Sequence, residues 1–383
     1  MIGGVEDLRR EISAVAGRLG VAAADLSRAK FRAEHPEGSR NIVNRLWTEA
    51  RRGAEVKPAD VPLVPPGFAV HGVSTFDGGK WIKASRIKES KEEVLTRLLA
   101  TLPDTVPVRA GKIKTPSAAG DDDRLSVICI GDAHIGAFSW AKESGDDYDL
   151  TIAEALMSAA ISDLVDRGPN TKLGLLINLG DFFTADNSAG TTTAGTAQST
   201  DSRFPKVLET GMRMIVHAID SMLAKHERVI VDTQAGNHDH YTAIMLAIGL
   251  RAHFRNEPRA EIMVNPAKRH YHQFGEVLIG TTHGDQVKID ALPGLMAAEA
   301  APMWGGTRHR YWYLGHYHHT SRKDFPGCTV ETFRTLAGRD AWHAASGYLA
   351  PRDMQRIVLH KQFGEVSREV ANVDYLRAKV KTC

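Results

Sequence analysis

The sequence predicts an α/β protein: an alternating strand–helix half, then a β-rich half, preceded by a small N-terminal helical domain. Three observations carry this. Short continuous apolar runs, Leu125 to Ile130 and Leu173 to Leu179, read as strands buried on both faces. The stretches after them, Asp149 to Arg167 and Pro205 to His226, have helical length and periodicity. From Arg269 onward, strand signals follow one another closely. The length of 383 residues suits two to three domains at ~150 residues each. With 43% hydrophobic and 25% charged residues, the composition excludes a collagen-like or wholly disordered chain.

Residues 1–57 read as helical. Leu8, Ile12, Val15 and Leu19 form one apolar stripe, Gly20-Val21 breaks it, and further helices suit Ala22 to Ala33 and Arg40 to Arg52. This is the outline of a helix-turn-helix, though three helices in such a length also form plain packing modules. Residues 58–123 read as a connecting region. Pro58, Pro62, Pro65 and Pro66 stiffen its start. Asp77-Gly78-Gly79 between Val70 to Phe76 and Lys80 to Ser85 signals a hairpin. Ile87 to Ala100 reads as a helix, and 103–124 as a last linker ending in an acidic run. The main domain then spans residues 124–383. Its third strand is Val229 to Thr233, followed by a helix from Tyr241 to Arg255. Later strands are Arg269 to Phe274, Val277 to Thr282, Arg310 to Leu314, Thr329 to Phe333 and Gln355 to His360. The Gly/Thr/Ser/Ala stretch Ala185 to Ser202 exceeds the ~12–15 residues beyond which loops are usually functional or mobile.

The N-terminus MIGGVEDLRR lacks the apolar core of a secretory signal, and no apolar run approaches the ~18 residues of a membrane span. Three scattered cysteines build no disulfide framework and suit a reducing compartment. A cytoplasmic chain without a membrane partner is expected. With 48 Lys and Arg against 46 Asp and Glu, the net charge of +2 argues neither for nor against nucleic acid. Histidine stands out, with 17 residues, several of them in short polar motifs.

Those motifs punctuate strand ends: Gly131-Asp132-Ala133-His134, Gly180-Asp181-Phe182-Phe183, Gly236-Asn237-His238-Asp239, Thr282-His283-Gly284-Asp285 and Gly315-His316-Tyr317-His318. In α/β sheets, ligands bind at the carboxyl ends of strands, so five such ends would converge on one crevice. Two Asp, one Asn and four His, with His238 in addition, form a nitrogen and oxygen donor set. It suits Mn, Fe, Zn or Co and excludes a thiolate site. Two metals need a bridging carboxylate, and two carboxylates against two divalent ions leave a positive surplus that suits a phosphate oxyanion. A water on such a pair has its pKa lowered toward ~7, and an imidazole suits the acid that protonates the departing oxygen.

The ordered set resembles the calcineurin-like metallophosphoesterase superfamily, whose pattern is DxH, GD, GNH followed by D or E, a lone H, and GHxH. Here it reads DAH, GD, GNHD, H and GHYH between residues 132 and 318. The resemblance covers roughly Arg124 to Phe363 and implies a four-layer α/β/β/α sandwich. It implies that Asp132, His134 and His318 hold one metal, that Asn237, His283 and His316 hold the other, and that Asp181 bridges them. Manganese is the first expectation, with iron, zinc, cobalt or nickel as alternatives. It further implies that His238 is the acid toward the leaving group, with Asp239 orienting it.

Departures from the pattern bear on substrate. Thr184 stands where many members carry Asp or His, and GDFF is closer to the GDLF of the double-strand-break repair nucleases. Asp239 replaces the Glu of the Ser/Thr phosphatases. The front extension looks like that of phage- and prophage-encoded members. The expected activity is therefore a phosphodiesterase or nuclease acting on DNA or nucleotides. A phosphomonoesterase or cyclic-nucleotide phosphodiesterase is the alternative. A DNA-binding module with a vestigial esterase domain is disfavoured, because a decayed site loses ligands first and none is missing.

Blander roles are expected for the remaining groups. His240 and His319 read as non-ligands, and His217, His226, His270 and His272 as surface or sheet residues. Trp304, Trp312 and Tyr313 read as core or rim, with stacking on a nucleobase as the alternative. Arg308, Arg310, Arg322 and Lys323 read as surface charge, and Cys129 as a buried thiol.

Overall fold

The computed structural model describes residue 14, the strands at 68–76 and 79–86, and residues 113–381 other than 348. The chain divides into two units, Met1–Ser90 and Lys91–Cys383. In the first, Ala14 is helical, and β1 (Phe68–Phe76) pairs antiparallel with β2 (Gly79–Arg86), with a bulge between Val70 and Gly72. The hairpin expected around Asp77-Gly78-Gly79 is therefore present. The helices expected within 1–57, the proline-rich 58–66 stretch and the helix at 87–100 lie outside the described residues.

In the second unit β3 (Asp121–Ile130) starts four residues earlier than its apolar run. Its acidic start is paired outward: Asp122 with Lys172 at 3.2 Å, Asp123 with Lys361 at 2.5 Å. The short α1 (Ala141–Ser144) leads to α2 (Leu150–Arg167), whose N-cap Asp149 accepts from the Ile152 N–H at 2.7 Å. β4 (Thr171–Asn178), α3 (Phe204–Leu223), β5 (Arg228–Thr233), α4 (His240–His253) and the short β6 (Ala260–Ile262) complete the alternating half. The β-rich half holds β7 (His270–Phe274), β8 (Val277–Thr282), α5 (Leu292–Glu299), α6 (Ala301–Gly305) and β9 (His309–Leu314). It continues through β10 (Ser321–Phe325), β11 (Cys328–Thr332), α7 (Ala341–Ala345), β12 (Asp353–His360), β13 (Gly364–Asn372) and α8 (Val373–Lys381).

Two sheets result. One has the order β13-β12-β3-β4-β5-β6 and the other β10-β11-β9-β8-β7. β3, β4 and β5 run parallel in the first, β8 and β9 in the second. Strand alternation divides the side chains. Leu125, Val127 and Cys129 pack with Val277, Ile279 and Tyr313 between the sheets. Ile128 and Ile130 face the other way, onto Leu156, Ala160 and Ile161 of α2 and Ile215 and Ile219 of α3. Leu278, Trp312 and Leu314 bury their side of the second sheet against Leu292 and Met296 of α5. This is the expected four-layer α/β/β/α sandwich. Among the described residues no helix is long and apolar enough to cross a membrane.

The sheets meet through an apolar centre and two polar braces. Near one edge, Arg368 of β13 pairs with Glu331 of β11 and Glu365, and donates to Gln355 at 2.7 Å. Near the other, the buried Asp232 at the end of β5 meets His270 of β7 at 2.5 Å, His272 at 2.7 Å and the Thr281 hydroxyl of β8 at 2.9 Å. His270 is thus buried in the sheet. His226, expected at the surface or in a sheet, is buried in the turn after α3, its Nδ1 at 2.8 Å from the Thr171 hydroxyl. The strands β6, β10 and β13 and the helices α1, α5, α6, α7 and α8 have no counterpart among the elements that the sequence predicts.

His270 Nε2 also faces the Ala267 carbonyl at 3.0 Å, so both ring nitrogens meet oxygen acceptors and the imidazolium is favoured. Burial works against that charge, but Asp232 outweighs it and raises the His270 pKa, while the two imidazoles hold Asp232 below its usual range against its own burial. The histidine's contribution is full below its ordinary 6.5 and is lost as pH rises through the folded value; the carboxylate's is full above 3.8 and is lost on acidification. Asp232→Asn is expected to lower the unfolding free energy by about 3–5 kcal/mol. In denaturant melts the difference from wild type should be largest near pH 5 and shrink above neutrality.

Candidate functional site

Each motif follows a strand end directly. The loops after β3, β4 and β5 and those after β8 and β9 therefore meet at one end of the sandwich. The backbone there is unusual. Among the described residues, six non-glycine residues have positive φ, and five are Asp132 (36°), His134 (44°), Asp181 (50°), His316 (67°) and His318 (54°); the sixth is Ser202. Such geometry costs energy for residues with a Cβ and turns each side chain out of the strand direction toward a common point. This also resolves how His316 and His318, two positions apart, reach one site: they lie in a bent loop.

Two groups of ligand-type atoms form, each within 4.8 Å: Asp132, His134 and His318; and Asp181, His283 and His316. In the first, His134 Nε2 lies 3.2 Å from His318 Nε2, which is 3.6 Å from Asp132 Oδ1. In the second, His283 Nε2 lies 3.1 Å from Asp181 Oδ2 and 3.0 Å from Asn237 Oδ1. The Leu179 carbonyl, 2.9 Å from His283 Nδ1, can only accept, so Nδ1 carries the hydrogen and Nε2 points inward. Gly180 and Gly236 are required by space. A Cβ on the first would stand 2.6 Å from His283 Nδ1, and on the second 2.0 Å from Asp181 Oδ1.

His238 sits at the rim. Its backbone N–H donates to Asp181 Oδ1 at 2.7 Å, and its Nε2 is 3.9 Å from Asp181 Oδ2. Its Nδ1 meets the Thr184 carbonyl at 3.0 Å, so Thr184 orients the ring through its backbone. Asp239, expected to orient His238, spends its carboxylate elsewhere. It accepts from the N–H groups of Asp181 at 3.1 Å, Gly236 at 2.9 Å and Phe183 at 3.1 Å, and so shapes the second motif's turn. Two further supports went unread. The Thr335 hydroxyl donates to the Asp132 carbonyl at 2.6 Å, and the Tyr148 hydroxyl to the Ala133 carbonyl at 2.7 Å. Neither has a sequence signal, because the acceptors are backbone.

Electrostatics match a cation seat. Burial and the neighbouring His238 and His318 push His134 down to about 3, and burial with His283 lowers His316, so both are neutral donors. Burial opposes charge on His283, yet Asp181 lifts it to about 10; Asp132 similarly raises His318. Burial would raise Asp132 and Asp181, but the imidazoles outweigh it and hold both below the carboxylate range. Asp239 goes the other way, to about 7, through burial and the Asp181 charge. Asp132 Oδ2 is buried without a hydrogen-bond partner. An orphan carboxylate oxygen, converging lone pairs and a purely nitrogen and oxygen donor set fit a pair of divalent cations.

The groups open into a cleft of about 790 Å³. One wall is residues 196–199 of the long loop. That loop is anchored: Asp186 accepts from the Tyr241 and Thr242 N–H groups at 3.1 and 2.8 Å, and Phe138 donates to the Ser199 carbonyl at 3.0 Å. Thr335, Arg339 and Arg352 also line the cleft. Trp312 and Tyr313 are fully buried, which removes them as stacking platforms; Tyr317 is the aromatic at the cleft. Arg322 and Lys323 are paired with Glu365 and Asp290, both at 2.9 Å.

No protein-family model matches the chain, and no curated protein matches it. Solved structures similar to it include a predicted phosphoesterase from Streptococcus pneumoniae TIGR4 at 12% identity, covering 65% of this chain and 98% of that one, TM-score 0.26. Vps29 from Entamoeba histolytica, solved with zinc, has 13% identity, covers 65% and 99%, and has a TM-score of 0.26. An archaeal phosphodiesterase has 13% identity, covers 65% and 99%, and has a TM-score of 0.33.

Asp181 and Asp132 favour the protonated forms of His283 and His318, so a bound cation competes with those protons. Binding of Mn²⁺ is expected to release one to two protons and to tighten about tenfold per proton per pH unit. Calorimetry in buffers of different ionisation enthalpy reads this directly. Gly236→Ala should weaken binding by about 10- to 100-fold, as expected when a ligand's support is displaced.

Proposed function

We propose that the chain is a calcineurin-like metallophosphoesterase that uses two divalent cations to hydrolyse phosphodiesters of DNA or nucleotides. The observation that carries this is the pair of Asp/His groups at the ends of β3, β4, β8 and β9, with five of their six residues held by left-handed backbone. Asp132, His134 and His318 would hold one cation and Asn237, His283 and His316 the other, with Asp181 shared. Manganese is the cation we favour. Bound there, the pair supplies Lewis-acid polarisation of the phosphoryl group and a nucleophile at neutral pH.

The remaining steps belong to the chain. Thr184 holds His238 Nδ1–H, which leaves Nε2 facing the cleft to carry the proton that goes to the departing oxygen. Asp239 keeps Asp181 and Phe183 in place from behind. The preference for diesters rests on the GDFF and GNHD motifs and is supported by a cleft larger than one phosphate group requires.

Bis-p-nitrophenyl phosphate should be hydrolysed with Mn²⁺ and faster than the monoester p-nitrophenyl phosphate. His238→Ala should lower kcat by about 10²–10⁴-fold, as loss of a general acid does. Asp181→Asn should abolish turnover and weaken cation binding together. Absence of turnover with Mn²⁺, Fe²⁺, Co²⁺, Ni²⁺ and Zn²⁺, or an active Asp181→Asn variant, would reject the reading. A faster monoester reaction would make it a phosphatase.

A further inference from the structure

Arg352 lines the cleft and is only 9% exposed. Its Nη2 lies 3.2 Å from Asp146 Oδ1, while its Nη1 is buried with no partner. Arg339, lining the same cleft, donates through Nε to Asp146 Oδ2 at 3.2 Å, and Arg377 of α8 comes within 3.9 Å of Oδ1. Three guanidinium groups thus lean on one carboxylate. Asp340 also lines the cleft and Asp374 acts on Arg352 through space, but neither accepts from Nη1. A buried guanidinium N–H without an acceptor is costly, and a planar guanidinium is shaped for an oxyanion.

The position of this group is fixed relative to the cation seat. The Thr335 hydroxyl that donates to Asp132 also accepts from the Ala337 N–H at 2.8 Å. Gly338 lies so close to Tyr148 that a Cβ there would stand 2.6 Å from the tyrosine's own, and Tyr148 in turn holds Ala133. The segment that leads to Arg339 is therefore built onto the loop bearing Asp132 and His134, and Arg352 Nη1 lies against it, 3.4 Å from where a Cβ on Gly338 would stand.

We infer that Arg352, assisted by Arg339, forms an oxyanion subsite, and that the substrate is a phosphoester carrying a second anionic group beyond the one hydrolysed. This rests on the phosphoesterase reading for the reaction, though not for the binding. Arg352 and Arg339 are specificity residues: they touch the second anion and leave the reacting phosphorus to the cation seat. The second anion is a phosphate or a carboxylate, and substrates separate these sources.

The full-length protein with Mn²⁺ would be offered thymidine 5′-(p-nitrophenyl phosphate) as such, with a 3′-phosphate, and with a 3′-O-carboxymethyl group. The wild type is expected to favour an anionic form at least tenfold in kcat/KM, and the better of the two identifies the anion. In Arg352→Gln that ratio should fall at least tenfold, in Arg339→Gln several-fold, and Arg352→Lys should restore part of it. Calorimetric binding of thymidine 3′,5′-bisphosphate to the chelator-treated protein should weaken at least tenfold in Arg352→Gln. If Arg352→Gln fails a melting check, the Arg339→Gln ratio decides. No preference in the wild type, or a preference that survives both substitutions, overturns the proposal. If no ester is hydrolysed but Arg352-dependent bisphosphate binding persists, the subsite stands and the hydrolase reading falls.

Discussion

The left-handed backbone at the ends of β3, β4 and β9 is the constraint on which the site depends. A side chain on an ordinary strand extension would follow the pleat to one face or the other. At Asp132, His134, Asp181, His316 and His318 the positive φ instead swings each side chain inward, at about 1–2 kcal/mol per residue. That strain persists because the surroundings over-determine it. Thr335 and Tyr148 hold the consecutive carbonyls of Asp132 and Ala133 within the first turn, and the buried Asp239 carboxylate collects three N–H groups around the second. Phe182 and Phe183 anchor that second turn in the core beside Val207 and Met214 of α3.

The sheets supply the rigid frame. Their shared interior is apolar in the middle, around Val127, Ile177, Ile279 and Tyr313, and charged near its edges. Dispersion and burial set the spacing of the layers, but they are non-directional and do not fix how one sheet slides on the other. The Arg368–Glu331 pair and the Asp232–His270–His272 group do, because their hydrogen bonds tolerate little displacement. The carboxyl ends of β3, β4 and β5 thereby stay opposite those of β8 and β9.

Much of this was legible in the sequence, for identifiable reasons. Strands buried on both faces read as unbroken apolar runs, and the polar motifs stand out at their ends. The second cluster joins Asp181 to His283 and His316, and the first joins Asp132 to His134 and His318, a grouping that spacing alone does not dictate. Three of the four edge strands, β6, β10 and β13, were hidden. β13, with Glu365, Arg368 and Glu369, and β10, with Arg322, Lys323 and Asp324, carry charge because one flank meets water. The insertion of the antiparallel β12 between β13 and β3 depends on pairing between segments more than two hundred residues apart in sequence. The roles of Thr184, Asp239 and Thr335 were equally invisible, since they act on or through backbone groups. Arg352 had no motif to mark it.

The stretch from Thr184 to Ser202 has a mechanical consequence. Its first residue steadies the His238 ring, Asp186 grips the start of α4 immediately after Asp239, and its far end forms the flank of the cleft. Wall and imidazole are therefore linked in series, like a lever and its pivot. The flank of the cleft and the orientation of the His238 ring thus rest on one continuous segment of backbone.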